Sequence, residues 1–387
     1  MRPRLHALAA FLVALVGLFP SPAAAYPWMV QHGYTACAQC HVDPSGAGTL
    51  TDYGRGQGEI LLRTHYGKEQ GDPEKISQFL FGAVQLPEAL QLQADVRGMV
   101  IPQPGNVRAI LMQGDVRAAV QAGLFTASAS VGAVSEGGQN AWLSSNDKWN
   151  LVAREYWAAV SPAKGLMIKG GRMNLPFGIR TEDHILYVRS ATGTTINDDQ
   201  QLGLAVSYGT RKLRAEVMGI AGNLQVSPDV FRKRGYSAMV AYAVNKRFEI
   251  GASSMFTRSE LDTDTLAPRG QMAHGIFTRA SPFEKFSVLA EADLLLDNQD
   301  GERFTGVATA AVLDYEPVQG LHVFGLGEYC AQSLSAEGDA VWRGGGGVQW
   351  FFASRADIRL DGGYGTIFCT PGGEARPYGL LQAHFYL

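Results

Sequence analysis

Charge is scarce in this sequence. Of its 387 residues only 18% are Asp, Glu, Lys or Arg, against the ~25% usual for soluble domains. The net charge of −3 is spread without any basic block, which excludes a nucleic-acid partner, since phosphate binding needs clustered Lys and Arg. Long apolar runs are missing too. Beyond the first 25 residues nothing approaches the roughly 18 apolar residues of a membrane helix, so a helical membrane protein is excluded. Cysteine is limited to four residues, whereas glycine is abundant at 46. Low charge with much glycine and many aromatics suits a β-barrel.

The N-terminus has its own pattern. Arg2 and Arg4 precede an apolar stretch from Ala7 to Phe19, followed by Pro20, Ser21, Pro22 and the small residues Ala23, Ala24 and Ala25. This predicts a secretory signal peptide over 1–25 and a mature chain from Tyr26. The rest divides in two. Residues 26–85 have short-range texture: a cysteine motif, a turn cluster from Asp43 to Gly48, and a predicted helix from Leu50 to His65 with Thr51 or Asp52 near its start. A polar linker over Gly67–Lys75 separates this segment from residues 86–387.

In that second region polarity alternates with period two, the mark of strands with two different environments. Gln91, Gln93, Asp95 and Arg97 alternate with Leu90, Leu92, Ala94 and Val96; Lys212, Arg214 and Glu216 with Leu213, Ala215 and Val217; Arg355, Asp357, Arg359 and Asp361 with Ala356, Ile358 and Leu360. Such segments run about 10 to 14 residues, longer than soluble strands and long enough to cross a bilayer at a tilt. Their connections alternate between short turns, as at Ser161–Gly165, Val244–Lys246 and Glu316–Gly320, and longer polar loops at 135–147, 173–199, 222–234, 259–269, 297–302, 332–340 and 369–375. The pattern predicts an all-β fold, a transmembrane antiparallel β-barrel of about sixteen strands in the outer membrane of a Gram-negative bacterium, in contact with its lipid. The last strand, Arg376 to Leu387, places Leu381, Phe385 and Leu387 on one face. The longest loop, Met173 to Asp199, is compatible with folding into the lumen or remaining at the surface.

Cys37, Cys40 and His41 form C-x-x-C-H, the spacing with which two thiols reach one porphyrin edge and the adjacent imidazole becomes an axial iron ligand. A zinc site would need a second ligand pair nearby, and a thioredoxin-like motif a βαβ context. One covalent haem c is therefore expected. For the ligand opposite His41 the candidates are His65, which we prefer, Met29 and His32, with His184 and His274 of the barrel region also open. Arg55 is a candidate partner for a haem propionate. Cys330 and Cys369 fall at outward strand ends just before neighbouring long loops, where a disulfide is reasonable in an oxidising compartment.

With these features the chain resembles the fused monohaem cytochrome c–porin family of bacterial outer-membrane proteins. Ala25, Pro27, Cys37, Cys40 and His41 fall at the spacing of its A-x-P-x-F-A-R-Q-T-G-x-x-C-x-x-C-H motif, while Met29, Gln31, His32, Gly33 and Tyr34 depart from it. Asp43 to Arg55 is also similar to other bacterial proteins that join a haem segment to a barrel. The resemblance implies an electron conduit between an extracellular donor or acceptor and a periplasmic cytochrome or other carrier. It implies electron transfer, with iron oxidation as the family's known form, in place of bond-making catalysis. The alternative is a porin or uptake channel whose haem segment is a plug or redox sensor.

Overall fold

The computed structural model describes residues 27–46, 48–66, 75, 77–103, 105–135, 142–145, 149–181, 183, 185–263 and 265–387. The expected signal peptide, most of the Gly67–Lys75 linker, and His184 lie outside the described residues. Among the described residues no helix is long and apolar enough to cross a membrane.

The strands are β1 (Leu90–Gln103), β2 (Asn106–Ala122), β3 (Phe125–Val134), β4 (Trp142–Ser145), β5 (Asn150–Val152) and β6 (Tyr156–Ala163). They continue with β7 (Leu166–Met173), β8 (Gln201–Gly209), β9 (Leu213–Gly222), β10 (Arg234–Asn245), β11 (Phe248–Ser259) and β12 (Arg269–Phe283). The last are β13 (Phe286–Gln299), β14 (Glu302–Val318), β15 (Leu321–Ala331), β16 (Val341–Ala353), β17 (Ala356–Gly365) and β18 (Arg376–Tyr386). Each pairs antiparallel with its sequence neighbour, except that β3 pairs with β5 at one end and with β6 at the other. β5 and β6 are thus two parts of one wall position, and β4 is a hairpin arm on β5. The sheet closes where β1 meets β18, Asp95 opposite Tyr386 and Val100 opposite Leu381. The result is a closed sixteen-stranded antiparallel barrel.

Its surface is inverted relative to a soluble protein. On β9 the lumen-side Glu216 is 2% exposed while the outward Val217 is 55% exposed. Leu204, Ile250, Ile276, Leu313 and Leu360 face outward in the same way. Aromatics gather at both rims of this apolar band: Tyr208, Phe283, Tyr315 and Trp350 beside the short turns, and Tyr236, Tyr329, Trp342 and Tyr364 beside the longer connections. That is the arrangement of a barrel in a bilayer, with aromatic girdles at the interfaces and all backbone groups paired within a closed sheet. The chain is an outer-membrane β-barrel, its short turns on the periplasmic side.

Three local expectations need correction. The connection expected as a loop over 297–302 is a tight turn at Asp300 and Gly301, because β13 and β14 stay paired to Gln299 and Glu302. β1 and β2 likewise meet as Gln103 opposite Asn106, so short and long connections do not alternate strictly. The helix expected over Leu50–His65 is shorter. α1 spans Asp52–Gln57, with Thr51 Oγ1 accepting from Gly54 N at 3.1 Å, and passes into a single π turn over Gly58–Leu62. Gly54, Gly56 and Gly58 weaken the helix, and Arg63 is extended.

Candidate functional site

Two segments that belong to no wall strand fill the lumen. The first is the chain from Pro27 to Tyr66, which enters at the periplasmic mouth. It comprises a 3-10 turn over Pro27–His32, a second over Cys37–Gln39, and α1 with its π turn. A bridge between His41 and Leu50 and the bond from Val42 N to Thr49 O at 2.9 Å hold the Asp43–Gly48 bend as a small hairpin.

This plug is tied to the wall around the circumference. Leu50 N donates to Gln93 Oε1 of β1 (2.7 Å) and Lys169 Nζ of β7 donates to both Asp43 oxygens (2.8 and 2.9 Å). Arg279 of β12 donates to Thr35 O (2.6 Å), and Gln31 donates to Glu316 of β14 (3.0 Å). The Trp28 ring lies 4.0 Å from that of His322 on β15, and Thr64 N donates to Phe351 O of β16 at 3.0 Å. A small apolar nucleus of Trp28, Met29, Tyr34, Leu62 and Phe351 forms inside an otherwise charged lumen.

The second segment is the long loop between β7 and β8. It folds inward, so of the two placements open from sequence the lumenal one is observed. Ser237 Oγ donates to Pro176 O (3.0 Å), Gly178 N to Ser253 Oγ (2.8 Å) and Ile179 N to Glu291 Oε2 (2.8 Å). Its short helix α2 (Tyr187–Thr192) packs on β13, β14 and β15. Arg189 pairs with Glu291, and Tyr187 N donates to Glu328 Oε1 at 2.6 Å. Beneath it, Val42 of the plug joins Trp157, Met173, Leu175, Phe177 and Met218 in one apolar cluster.

Between plug and loop lies a cavity of about 200 Å³. The plug contributes Met29, Cys40, His41, Gly54 and Leu62; the wall contributes Arg97, Arg117, Arg154 and His384; the loop contributes Asn174, Arg180 and Gln200. Cys37 and Cys40 are free thiols. Cys40 is buried, and that burial, helped by the neighbouring Cys37, pushes its thiol up to about 12. Two glycines fit closely around the pair. A Cβ on Gly54 would lie 2.2 Å from Cys40 O, and one on Gly46, at φ +88°, would lie 3.0 Å from Cys37 Sγ. Arg214 Nη1 is 3.6 Å from Cys37 Sγ.

The other sequence candidates separate. Met29, 3% exposed, lines the same cavity as His41. His65 does not line it; its Nε2 shares a 3.3 Å hydrogen bond with Ile60 O. His32 faces Glu316 at 3.1 Å, also away from the cavity. His274 is exposed on the lipid side, sharing a 3.2 Å hydrogen bond with Ser254 Oγ, so it does not reach inward as was open from sequence. Arg55 is buried with all five N–H donors engaged, by Leu50 O, Ser77 O, Leu92 O, Asp52 and Gln91. None is left for a propionate. Cys330 and Cys369 are joined by a disulfide with Cα atoms 5.8 Å apart, tying the end of β15 to the last outer loop.

The residues present fit a covalently held haem. Two free thiols and an imidazole stand at the motif's spacing, a thioether lies in the same cavity, and four arginines line it against two carboxylates, Asp95 and Glu155. Arg180 and the Lys169–Asp43 pair were not singled out from sequence. Arg180 sits in the loop that was, but its direction depends on how that loop folds.

No protein-family model matches the chain, and no curated protein matches it. Solved structures of similar fold do exist. OmpT, an outer membrane protein of Vibrio cholerae, is 11% identical with a TM-score of 0.61, over 77% of this chain and 99% of that one. The anion-selective porin from Comamonas acidovorans is 11% identical with a TM-score of 0.56 over 77% and 99%. The outer membrane channel DcaP of Acinetobacter baumannii is 12% identical with a TM-score of 0.55 over 77% and 97%. The likeness is one of fold, that of a porin-like barrel.

Proposed function

We propose that this chain is a porin-type barrel closed by its own haem c-bearing plug, and that it relays electrons between an extracellular donor or acceptor and a periplasmic carrier. The observation that supports this best is the cavity, which brings Cys40, His41 and Met29 together inside a blocked lumen. Cys37 and Cys40 would hold haem c covalently through two thioethers, and His41 and Met29 are the residues that would bind its iron. So bound, it supplies a one-electron carrier within the ~30 Å hydrocarbon layer that charge does not otherwise cross.

The protein's own contribution is positioning and closure. Lys169, Glu216, Arg279 and His322 are nearly inaccessible, because plug and loop occupy the space that water would fill in an open pore. The plug sits at the periplasmic mouth, within reach of a soluble carrier, while the inward loop covers it from outside. The surplus of arginine in the cavity suits the two carboxylates of a porphyrin.

A second reading is favoured by the likeness to channel proteins: a solute channel whose plug is displaced to open it. Purified protein in vesicles separates the two. The relay predicts that an external donor, ferrous iron first, reduces a dye enclosed in the vesicle while small solutes stay out, and that Cys40→Ala abolishes reduction with the barrel intact. Solute flux equal with and without haem, with no dye reduced, would replace the relay by the channel.

A further inference from the structure

The guanidinium of Arg180 is underused. Its side chain is 10% exposed, yet neither Nε nor Nη1 has a hydrogen-bond partner. Only Nη2 is occupied, by Asn174 O (3.4 Å) and Leu175 O (3.2 Å) of its own loop. The nearest carboxylate, Glu216, stands off at 3.7 Å and is held by Lys169 at 3.0 Å. The other cavity arginines include two that are taken. Arg154 donates to Asp115 at 2.6 Å, and Arg117 lies 3.3 Å from Asp115 and 3.6 Å from Asp95.

A buried cation with open donors is costly unless an anion meets it. The cavity that Arg180 lines is the one that also holds Cys40 and His41. Its backbone is not free to swing away, because Gly178 N and Ile179 N, two residues and one residue earlier, are bonded to β11 and β13. We infer that Arg180 binds a carboxylate of the haem, a propionate, so that the loop descending from the outer side and the plug rising from the periplasmic side are joined through it. Arg180 is then a positioning residue, and loading the plug orders the loop. The inference rests on the haem-bearing reading given above.

The test uses full-length protein made in a host that attaches c-type haem, with hydrogen exchange of the 174–200 amides as readout. Four proteins are compared: wild type, Arg180→Gln, Cys37→Ser/Cys40→Ser, and the triple variant. Heat-modifiability on gels establishes that each barrel is folded, and covalent haem stain reports loading. The expected result is that loading slows exchange in the loop roughly ten- to hundredfold, the weight of charge-assisted hydrogen bonds. Arg180→Gln should remove most of that slowing, Arg180→Lys should restore part of it, and the two haem-free proteins should agree within a few-fold. Equal acceleration by Arg180→Gln in loaded and haem-free chains, or no slowing on loading, would overturn the inference and leave the haem-bearing plug standing. A folded wild type without covalent haem would overturn the parent reading. If Arg180→Gln fails to fold, Arg180→Lys against wild type carries the same comparison.

Discussion

Removing Lys169 should release the plug. Its ammonium is wholly buried, donates to Asp43 Oδ1 at 2.8 Å and Oδ2 at 2.9 Å, and stands 3.0 Å from Glu216 Oε1 as an ion pair, with the Trp157 ring 5.8 Å away. In Lys169→Met the stem still packs, but Asp43 loses its main cation inside a closed lumen. Breaking a buried pair from one side costs about 3–5 kcal/mol, which is roughly a 150- to 5,000-fold rise in the population of plug-open molecules. The barrel itself should survive, since strand pairing does not depend on this contact. Hydrogen exchange at Val42 and Thr51, whose amides donate to Thr49 O and Cys40 O, reads the opening. Asp43→Asn should be milder, because Lys169 keeps Glu216, and the double variant should exchange more slowly than Lys169→Met alone. Exchange in Lys169→Met within threefold of wild type, with a folded barrel, would refute the view that this pair anchors the plug.

Other perturbations probe separate parts. Gly54→Ala brings a Cβ within 2.2 Å of the Cys40 carbonyl and should sharply reduce haem attachment, by covalent stain, without loss of heat-modifiable barrel. In chain without haem, Cys40 should resist alkylation until the pH nears its raised value of about 12, while Cys37, half-exposed, reacts first. The sign follows from the raised value: folding keeps the proton on Cys40, so plug stability is full below the ordinary thiol range and declines as pH climbs from there toward 12. Asp43 runs the other way. Burial pushes its carboxyl up, but Lys169 and Arg180 outweigh it and hold it below the usual range, so the anchor should persist at neutral pH and fail only in strong acid. Cys330→Ser opens a loop with a sequence separation of 39, a loss of up to about 4 kcal/mol, seen as a lower temperature of heat modification with plug exchange unchanged.

The wall was legible because lipid and lumen impose opposite polarity on alternate residues, so Glu216 beside Val217 announces its own geometry. Legibility fails where that contrast ends. Asp297 to Glu302 read as a loop because β13 and β14 continue beyond the bilayer, where both faces are polar. The C-x-x-C-H spacing is local and stands in the sequence itself, but its surroundings do not. Asp43 and Lys169 are 126 residues apart, and nothing in either neighbourhood encodes the other. Arg55 shows the converse. Its position after the motif suggested a ligand contact, yet the fold engages its donors with the carbonyls of Leu50, Ser77 and Leu92 and the side chains of Asp52 and Gln91. Met29 and not His65 lines the cavity with His41, because the chain turns back at Gly33, bringing the first 3-10 turn over the motif, while Arg63 leaves α1 extended toward the periplasmic turns.

The central claim is that the lumen is closed by the segment carrying Cys37, Cys40 and His41. Conductance across a planar bilayer tests it directly. The plugged barrel should pass almost no ions as wild type and acquire porin-like conductance steps in Lys169→Met. Steady, large conductance by the loaded wild-type protein, unchanged in Lys169→Met, would contradict it.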